Sequence, residues 1–347
     1  MNKNYFHRVT AQTPTRFWIN NVTREEADLA LAAGAVGCTQ NPSYTFKLMG
    51  MAGEKDYVFE TLAKIMKEEK NDVDALVALQ KNLIGRIAEI FMPLYEKTHG
   101  RQGYVSIQGD PIHEDYDTIV RFARFNRKDT PPNMMAKIPA TPDGIRAMET
   151  VLLEGIPVNA TEIMAVRQAL DVFDVYRKVS GKMAHPPALY YSHIAGIFDE
   201  YVTKYVKDKK IDIAPDIVYQ GGLAVARKIE SLYRDLGYEG VGYISGGARG
   251  LHHFTDWVGS RCCVTINWIG TAKDLIEQNP PVIDRFNVPT PDYVLEELIE
   301  KLDVFEKAYF THSIDPHEYE EYGPVELFRN MFVNSWEGAL KEIKSRR

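Results

Sequence analysis

Short apolar runs alternate with longer amphipathic stretches along most of the chain. RFWIN (16–20), AVGCTQ (35–40), YVSIQGD (104–110) and MMAKIPA (134–140) form a first set of runs. IPVNAT (156–161), ALYYSHI (188–194), GVGYISGG (240–247) and CCVTIN (262–267) form a second. Each is short enough for a strand, and several are bounded by Gly, Pro, Asn or Asp, so all eight read as buried strands. The stretches between them, such as REEADLALAAG, EDYDTIVRFARFN and PDGIRAMETVLLEG, carry apolar residues at three- and four-residue spacing and predict helices. Residues 55–98 predict two amphipathic helices in succession. Thr23 before REE, and Thr141 before Pro142, are expected N-caps.

Eight strands separated by helices predict an α/β fold, a closed (β/α)8 barrel of the TIM type, because parallel strands need helical crossovers. Residues from about 270 to 347 break the alternation. PDYVLEELIEKLDVFEKAYF and PVELFRNMFVNSWEGALKEIKSRR predict extra C-terminal helices packed on the barrel, within a single domain spanning 1–347. An open doubly wound sheet is the rival architecture. It requires a Gly-rich phosphate fingerprint after the first strand. Here NNVTREEAD follows that strand without a glycine, and GGARGLHH further on does not fit GxGxxG spacing.

Composition removes several functional classes. With 45% hydrophobic and 26% charged residues, the chain has the makings of an ordinary globular core. A net charge of −7 offers no broad basic face for phosphates, so nucleic acid is not an expected partner. The N-terminus lacks the apolar core of a signal peptide, and no run reaches the length of a membrane span, which together predict a cytoplasmic protein. Cys38, Cys262 and Cys263 form no CxxC pair and are expected to be reduced thiols. No cofactor and no metal site are expected. His252 and His253 lie close to Asp256 but do not make a persuasive ligand set.

In a barrel enzyme the chemistry sits at the C-terminal ends of the strands. The polar residues there include Asn20, Asn41, Gln108, Lys137, Asn159, Thr161, Ser192, His193 and Arg249. Most of these types also serve as caps and turn formers. Lys137, in MMAKIPATPDG, stands apart because the strand pattern points it into the barrel. Loss of solvation lowers a lysine's pKa and leaves part of it as free amine. A free amine attacks a carbonyl and forms an iminium, an electron sink that permits C–C cleavage. The plainer reading is a lysine that snorkels or pairs with a carboxylate.

FWINNVTREEADLALAAGAVGCTQNPS, MMAKIPATPDGIRAMETVLLEGIPVNAT, YISGGAR and FRNMFVNSWEGALKEI together resemble the transaldolase family, in order and over most of the chain. The resemblance implies a (β/α)8 barrel and a class I aldolase whose Schiff-base lysine, on the fourth strand, is matched by Lys137. It implies that Asn41 holds substrate hydroxyls, that Thr161 beside Asn159 helps hold a catalytic water, and that Ser192 belongs to the sixth-strand motif. Arg249 in SGGAR matches an arginine that binds a substrate phosphate. A sugar or sugar phosphate is the implied small-molecule partner, the pentose phosphate pathway the implied setting, and a homo-oligomer is possible.

Two departures from the family are chemical. Asn20 stands where transaldolases have an aspartate, and Gln108 stands where they have the glutamate of VSxE. An amide orients water but does not transfer protons near neutral pH. The related fructose-6-phosphate aldolases also have a glutamine at the third-strand position, with a sixth-strand tyrosine as acid–base group; that position aligns here with Ile194. His193 is the expected replacement acid–base group, with His252 and His253 as further candidates. A second phosphate-binding arginine is replaced by Ile197, which leaves Arg249, helped by Arg261, to attract a phosphate. Trp268 and Asn267 are expected at the edge of the eighth strand. The sequence thus predicts a Schiff-base enzyme that cleaves or transfers a ketol (dihydroxyacetone) unit. The alternatives are an inactive scaffold that binds a carbohydrate, and Schiff-base chemistry of another kind such as decarboxylation or dehydration.

Overall fold

The computed structural model describes residues 3–238 and 240–347. Eight parallel strands close into one barrel in sequence order. They are β1 (Arg16–Asn20), β2 (Ala35–Thr39), β3 (Tyr104–Gln108), β4 (Met134–Pro139), β5 (Val158–Ile163), β6 (Leu189–His193), β7 (Gly242–Ser245) and β8 (Cys263–Ile266). All eight predicted runs are therefore strands of the same sheet. The expected pair of helices within 55–98 is Lys55–Glu68 and Asp72–Lys97. Thr23 forms a capping box with Glu26, and the Thr141 hydroxyl accepts the Gly144 N–H at 3.1 Å. Side-chain caps of this kind satisfy donors that the first helical turn leaves free.

Alternation along the strands sets what faces the barrel axis. On β4, Met134, Ala136 and Ile138 join the apolar layer between barrel and helices, whereas Met135 lies in a separate buried cluster with Trp18, Tyr104 and Ile244. That second cluster is the floor of the barrel. Its rings need room, and glycines supply it. A Cβ on Gly37 would come within 2.3 Å of the Trp18 ring, and one on Gly242 within 2.2 Å of Tyr190. Lys137 follows Met135 by two residues and so stands on the same inward face, one level above the floor. Gln108 pairs in register with Lys137, and Lys137 with Asn159, so three polar side chains share a level on adjacent strands.

Three features differ from the sequence expectation. A helix, Tyr5–Gln12, precedes β1 and stacks Phe6 on Phe17 with ring centroids 4.0 Å apart. β5 runs on to Ile163, beyond the expected end at Thr161. PDYVLEELIEKLDVFEKAYF is two helices, Asp292–Lys301 and Asp303–Tyr309, because Leu302 between them has extended backbone. The final helix, Gly323–Lys344, lies across the barrel mouth. It packs closely on helix Ser43–Met49, where a Cβ on Gly338 would meet the Phe46 ring at 2.7 Å.

Candidate active site

The mouth is a cavity of about 340 Å3 at the C-terminal ends of the strands. Lys137 reaches it from β4, and the C-terminal helix roofs it with Phe328, Met331, Phe332 and Ser335. Lys137 is 5% exposed. Its Nζ donates to Asn41 Oδ1 at 2.5 Å and lies 5.1 Å from the Phe332 ring centroid and 5.7 Å from that of Phe328. Burial pushes the ammonium pKa down, to about 8, against the pull of Glu162 and Glu114.

On one side of Lys137 the polar groups satisfy each other. Asn20 Oδ1 accepts from the Asn41 amide at 3.1 Å and from Thr39 Oγ1 at 2.9 Å, while Asn20 Nδ2 donates to Asn267 Oδ1 at 2.9 Å. Thr39 and Thr265 hydroxyls are 2.7 Å apart. Across the barrel, Ser192 Oγ donates to Asn159 Oδ1 at 2.7 Å. Asn20, Asn41, Lys137, Ser192, Arg249 and Asn267 all line the mouth. Asn159 and Thr161 are fully buried beside them on β5.

The other side is acidic. Gln108 turns its amide nitrogen towards two carboxyl groups, Glu114 Oε1 at 3.2 Å and Glu162 Oε1 at 3.3 Å. Glu162 is fully buried on β5 and has φ +62°, a left-handed conformation uncommon for a residue with a side chain. The β5–β6 register slips between Ala160 and Ile163, so Glu162 sits in a bulge that re-aims it. Gln168 holds that bulge. Its oxygen accepts the Met164 and Ala165 N–H groups, and its nitrogen donates to the carbonyls of Ala140 and Glu162. Glu114 arrives from the loop after β3. That loop is folded by Asp110, whose carboxylate accepts the Ile112 N–H at 2.9 Å and meets His113 Nδ1 at 2.8 Å.

Burial is the largest influence on both carboxyls. It pushes the Glu162 pKa up to about 7, opposed by the charge on Lys137, and pushes Glu114 well above the usual range, aided by Glu162. Arg329 on the C-terminal helix draws both downward. The Oε2 atoms of both glutamates, Gln108 Oε1, Asn159 Nδ2 and Thr161 Oγ1 are buried without a protein partner. Buried polar atoms of this density are normally satisfied by water or by ligand.

Several expected residues lie elsewhere. His193 is fully buried, its two ring nitrogens have no partner, and burial pushes its pKa down to about 3. It follows Ser192 on the strand and therefore turns away from the mouth that Ser192 lines. His253 meets Asp199 at 3.2 Å and accepts the Arg249 backbone N–H at 3.3 Å, in a groove outside the mouth that His252 also lines. No group of His, Cys, Asp and Glu among the described residues has the makings of a metal site. Arg261 precedes β8, at the opposite end of the barrel, and is bonded to Glu230 at 3.0 Å. Arg249 does line the mouth, but its guanidinium is bonded to the Glu200 carboxylate and to Gly247 O. Ile194 and Ile197 are apolar walls beside it.

Glu114 and Glu162 are absent from the sequence expectation. Glu162 directly follows Thr161 and by strand alternation alone would point outward; only the bulge turns it. Glu114 lies six residues beyond β3 in a loop whose path the sequence pattern does not specify. The one available signal was a glutamate inside an otherwise apolar strand segment, TEIMAV.

Residues 17–300 match the sequence model of the Transaldolase/Fructose-6-phosphate aldolase family. A transaldolase of Thiobacillus denitrificans is 31% identical over 175 residues, covering 48% of this chain and 48% of that protein. A transaldolase of Mycobacterium tuberculosis is 29% identical over 236 residues, covering 63% and 62% respectively. One from Trichodesmium erythraeum is 31% identical over 231 residues, with 60% of each chain covered. The chain spans about half to three fifths of the length of these curated relatives. The family match stops before the helix that roofs the mouth but takes in the barrel almost whole, and by that match the chain belongs to the transaldolase/fructose-6-phosphate aldolase family.

Proposed function

We propose that this protein is a Schiff-base aldolase or transaldolase that takes a ketose through an imine on Lys137. One observation carries this reading: a buried lysine with a lowered pKa stands near the C-terminal end of β4, roofed by aromatic rings and flanked by side-chain amides. The amine attacks the ketone carbon, and loss of the carbonyl oxygen as water leaves an iminium. Removal of a proton from the hydroxyl β to the iminium carbon then breaks the C–C bond. The bonding pair flows into the iminium to give an enamine, and an aldehyde departs. A second aldehyde takes the enamine in transfer, whereas protonation and hydrolysis complete simple cleavage.

In this reading Asn41 and Asn20 hold substrate hydroxyls, Asn159 and Ser192 orient the ketol part, and Thr161 holds the water that forms and later hydrolyses the imine. Gln108 positions and Arg249 faces the far end of the substrate. The test is borohydride trapping with intact mass, for wild type and Lys137→Met, with fructose, fructose 6-phosphate, sedoheptulose 7-phosphate and dihydroxyacetone. A three-carbon adduct on wild type, absent in the variant, is the expected result. A carbohydrate-binding scaffold is the second reading, favoured by the amides at positions 20 and 108. It requires Lys137 to have an ordinary basic pKa and to give no adduct with any donor.

A further inference from the structure

Imine chemistry on Lys137 needs at least three proton movements. The ammonium must lose a proton before it attacks. The carbinolamine hydroxyl must gain one before water leaves. The β-hydroxyl must lose one as the C–C bond breaks. Asn20 and Gln108 are amides and transfer none of these near neutral pH. His193 is sealed between barrel and helices.

We propose that Glu162 moves these protons, reaching Lys137 and the substrate through bound water, and that Glu114, joined to it by the Gln108 amide, is a second acidic group facing Lys137. This rests on the Schiff-base reading of Lys137. The geometry supports it in three respects. Glu162 stands on β5, next to the strand of Lys137, and extends from the level of Thr161. Its left-handed bulge is held by the Gln168 side chain, which accepts the Met164 and Ala165 N–H groups and donates to the Ala140 and Glu162 carbonyls, an arrangement that turns a glutamate inward where alternation would turn it out. One Gln108 amide nitrogen donates to both carboxyls, while the second oxygen of each stays free of protein partners.

The charges fit a shared proton. Two carboxylates this close resist joint ionisation, as in other carboxyl dyads. Lys137 faces them from β4, Arg329 from the roofing helix with Glu320 beside it, and Gln108 lies between them. Burial and the Glu162 charge favour the protonated form of Glu114, while burial lowers Lys137 and raises Glu162, the direction that eases passage of a proton between them.

Each step then balances. The Glu162 carboxylate takes a proton from the Lys137 ammonium, leaving an amine and a neutral acid. The amine nitrogen forms the C–N bond, and its extra proton passes to the former carbonyl oxygen. Glu162 gives its proton to that hydroxyl; the C–O bond breaks, water leaves and the iminium carries the charge. The regenerated carboxylate accepts the β-hydroxyl proton through water as the C–C bond breaks and the iminium becomes an enamine.

The deciding experiment follows Lys137 without needing the natural substrate. Reductive methylation with formaldehyde and cyanoborohydride, read at Lys137 by peptide mass from pH 6 to 10, gives its apparent pKa in wild type, Glu162→Gln, Glu162→Asp and Glu114→Gln. Removing the Glu162 charge lowers the Lys137 pKa, so Glu162→Gln makes the amine more reactive at neutral pH. Ketose turnover in the same variant is expected to fall by about 10²- to 10⁴-fold, with partial recovery in Glu162→Asp. Glu114→Gln, which leaves the Glu162 carboxyl in place, is expected to shift the Lys137 titration in the same direction but less than Glu162→Gln does, because Glu162 is the stronger of the two acidic influences on Lys137. Unchanged Lys137 reactivity in Glu162→Gln, or turnover with a wild-type pH profile, overturns the proposal. Absence of any trapped imine in wild type overturns the Schiff-base reading instead, and the methylation titration still decides whether Glu162 governs the lysine's proton.

Discussion

Towards β1, β2 and β8 the mouth is lined by Asn20, Thr39, Asn41, Thr265 and Asn267, whose side chains bond to one another. On the β3 and β5 side of Lys137, behind the mouth's lining, lie Glu114 and Glu162, each with an oxygen that no protein group satisfies. A network that is already satisfied holds its members in place and presents fixed donors and acceptors. Buried carboxyls with free oxygens and raised pKa values are set up to exchange protons. Under the proposal the two sides divide the labour that the resemblance to transaldolases implies for carboxylates at positions 20 and 108: the amides there orient, and Glu162 transfers the protons.

The comparison is most easily broken at Lys137, which both sides serve. Lys137→Met abolishes the trapped imine under the proposed function, and a surviving adduct would put the chemistry elsewhere. Next in size is the roughly 10²- to 10⁴-fold loss of turnover in Glu162→Gln. A sharper probe returns a carboxylate to the amide side. Asn20→Asp in the Glu162→Gln background is expected to restore turnover by about tenfold, read as kcat, because a proton acceptor again faces the substrate. If Asn20→Asp alone raises turnover as much as it does in the double variant, the two sides are not alternatives and the division fails.

Stability should move against activity. The Glu162 carboxyl is raised from an ordinary 4.5 to about 7. Below pH 4.5 both folded and unfolded chains hold its proton and it costs nothing. Between those values the unfolded chain ionises first, so stability declines as pH rises, and the full cost is present above pH 7. Glu162→Gln is therefore expected to stabilise the fold at pH 8 by on the order of 2 kcal/mol, and little at pH 4.5, in denaturant titrations. Equal effects at both pH values would show that Glu162 is not a strained acid. The smallest effect concerns the substrate's far end. Freeing Arg249 by Glu200→Gln is expected to lower KM for a phosphorylated ketose by a factor of about three to ten, with little change for its unphosphorylated counterpart; a surface ion pair is worth only about 1 kcal/mol.

The amide side was legible in the sequence. Asn20, Asn41, Lys137, Asn159, Thr161 and Ser192 occur at or near strand ends, and period-2 alternation with parallel register gathers them at the C-terminal end of the barrel. The carboxyl side was not. His193 has suitable chemistry and a strand-end position, yet one step of alternation past Ser192 turns it into the helix layer. Glu162 is one step past Thr161 and would have been assigned outward by the same rule.

The sequence by itself determined the barrel, the eight strands, the helix caps at Thr23 and Thr141, and the inward lysine. Those features follow from local periodicity and from hydrogen-bond donors a few residues away, which the chain order already contains. Only the tertiary structure decided that Gln168 locks a bulge turning Glu162 inward, that Asp110 folds Glu114 back onto Gln108, and that a helix almost two hundred residues after Lys137 roofs it with Phe328 and Phe332. Each of these joins groups that no local period relates. The physical cause is burial itself: charges become costly to keep and protons easy to exchange only where distant segments together exclude water.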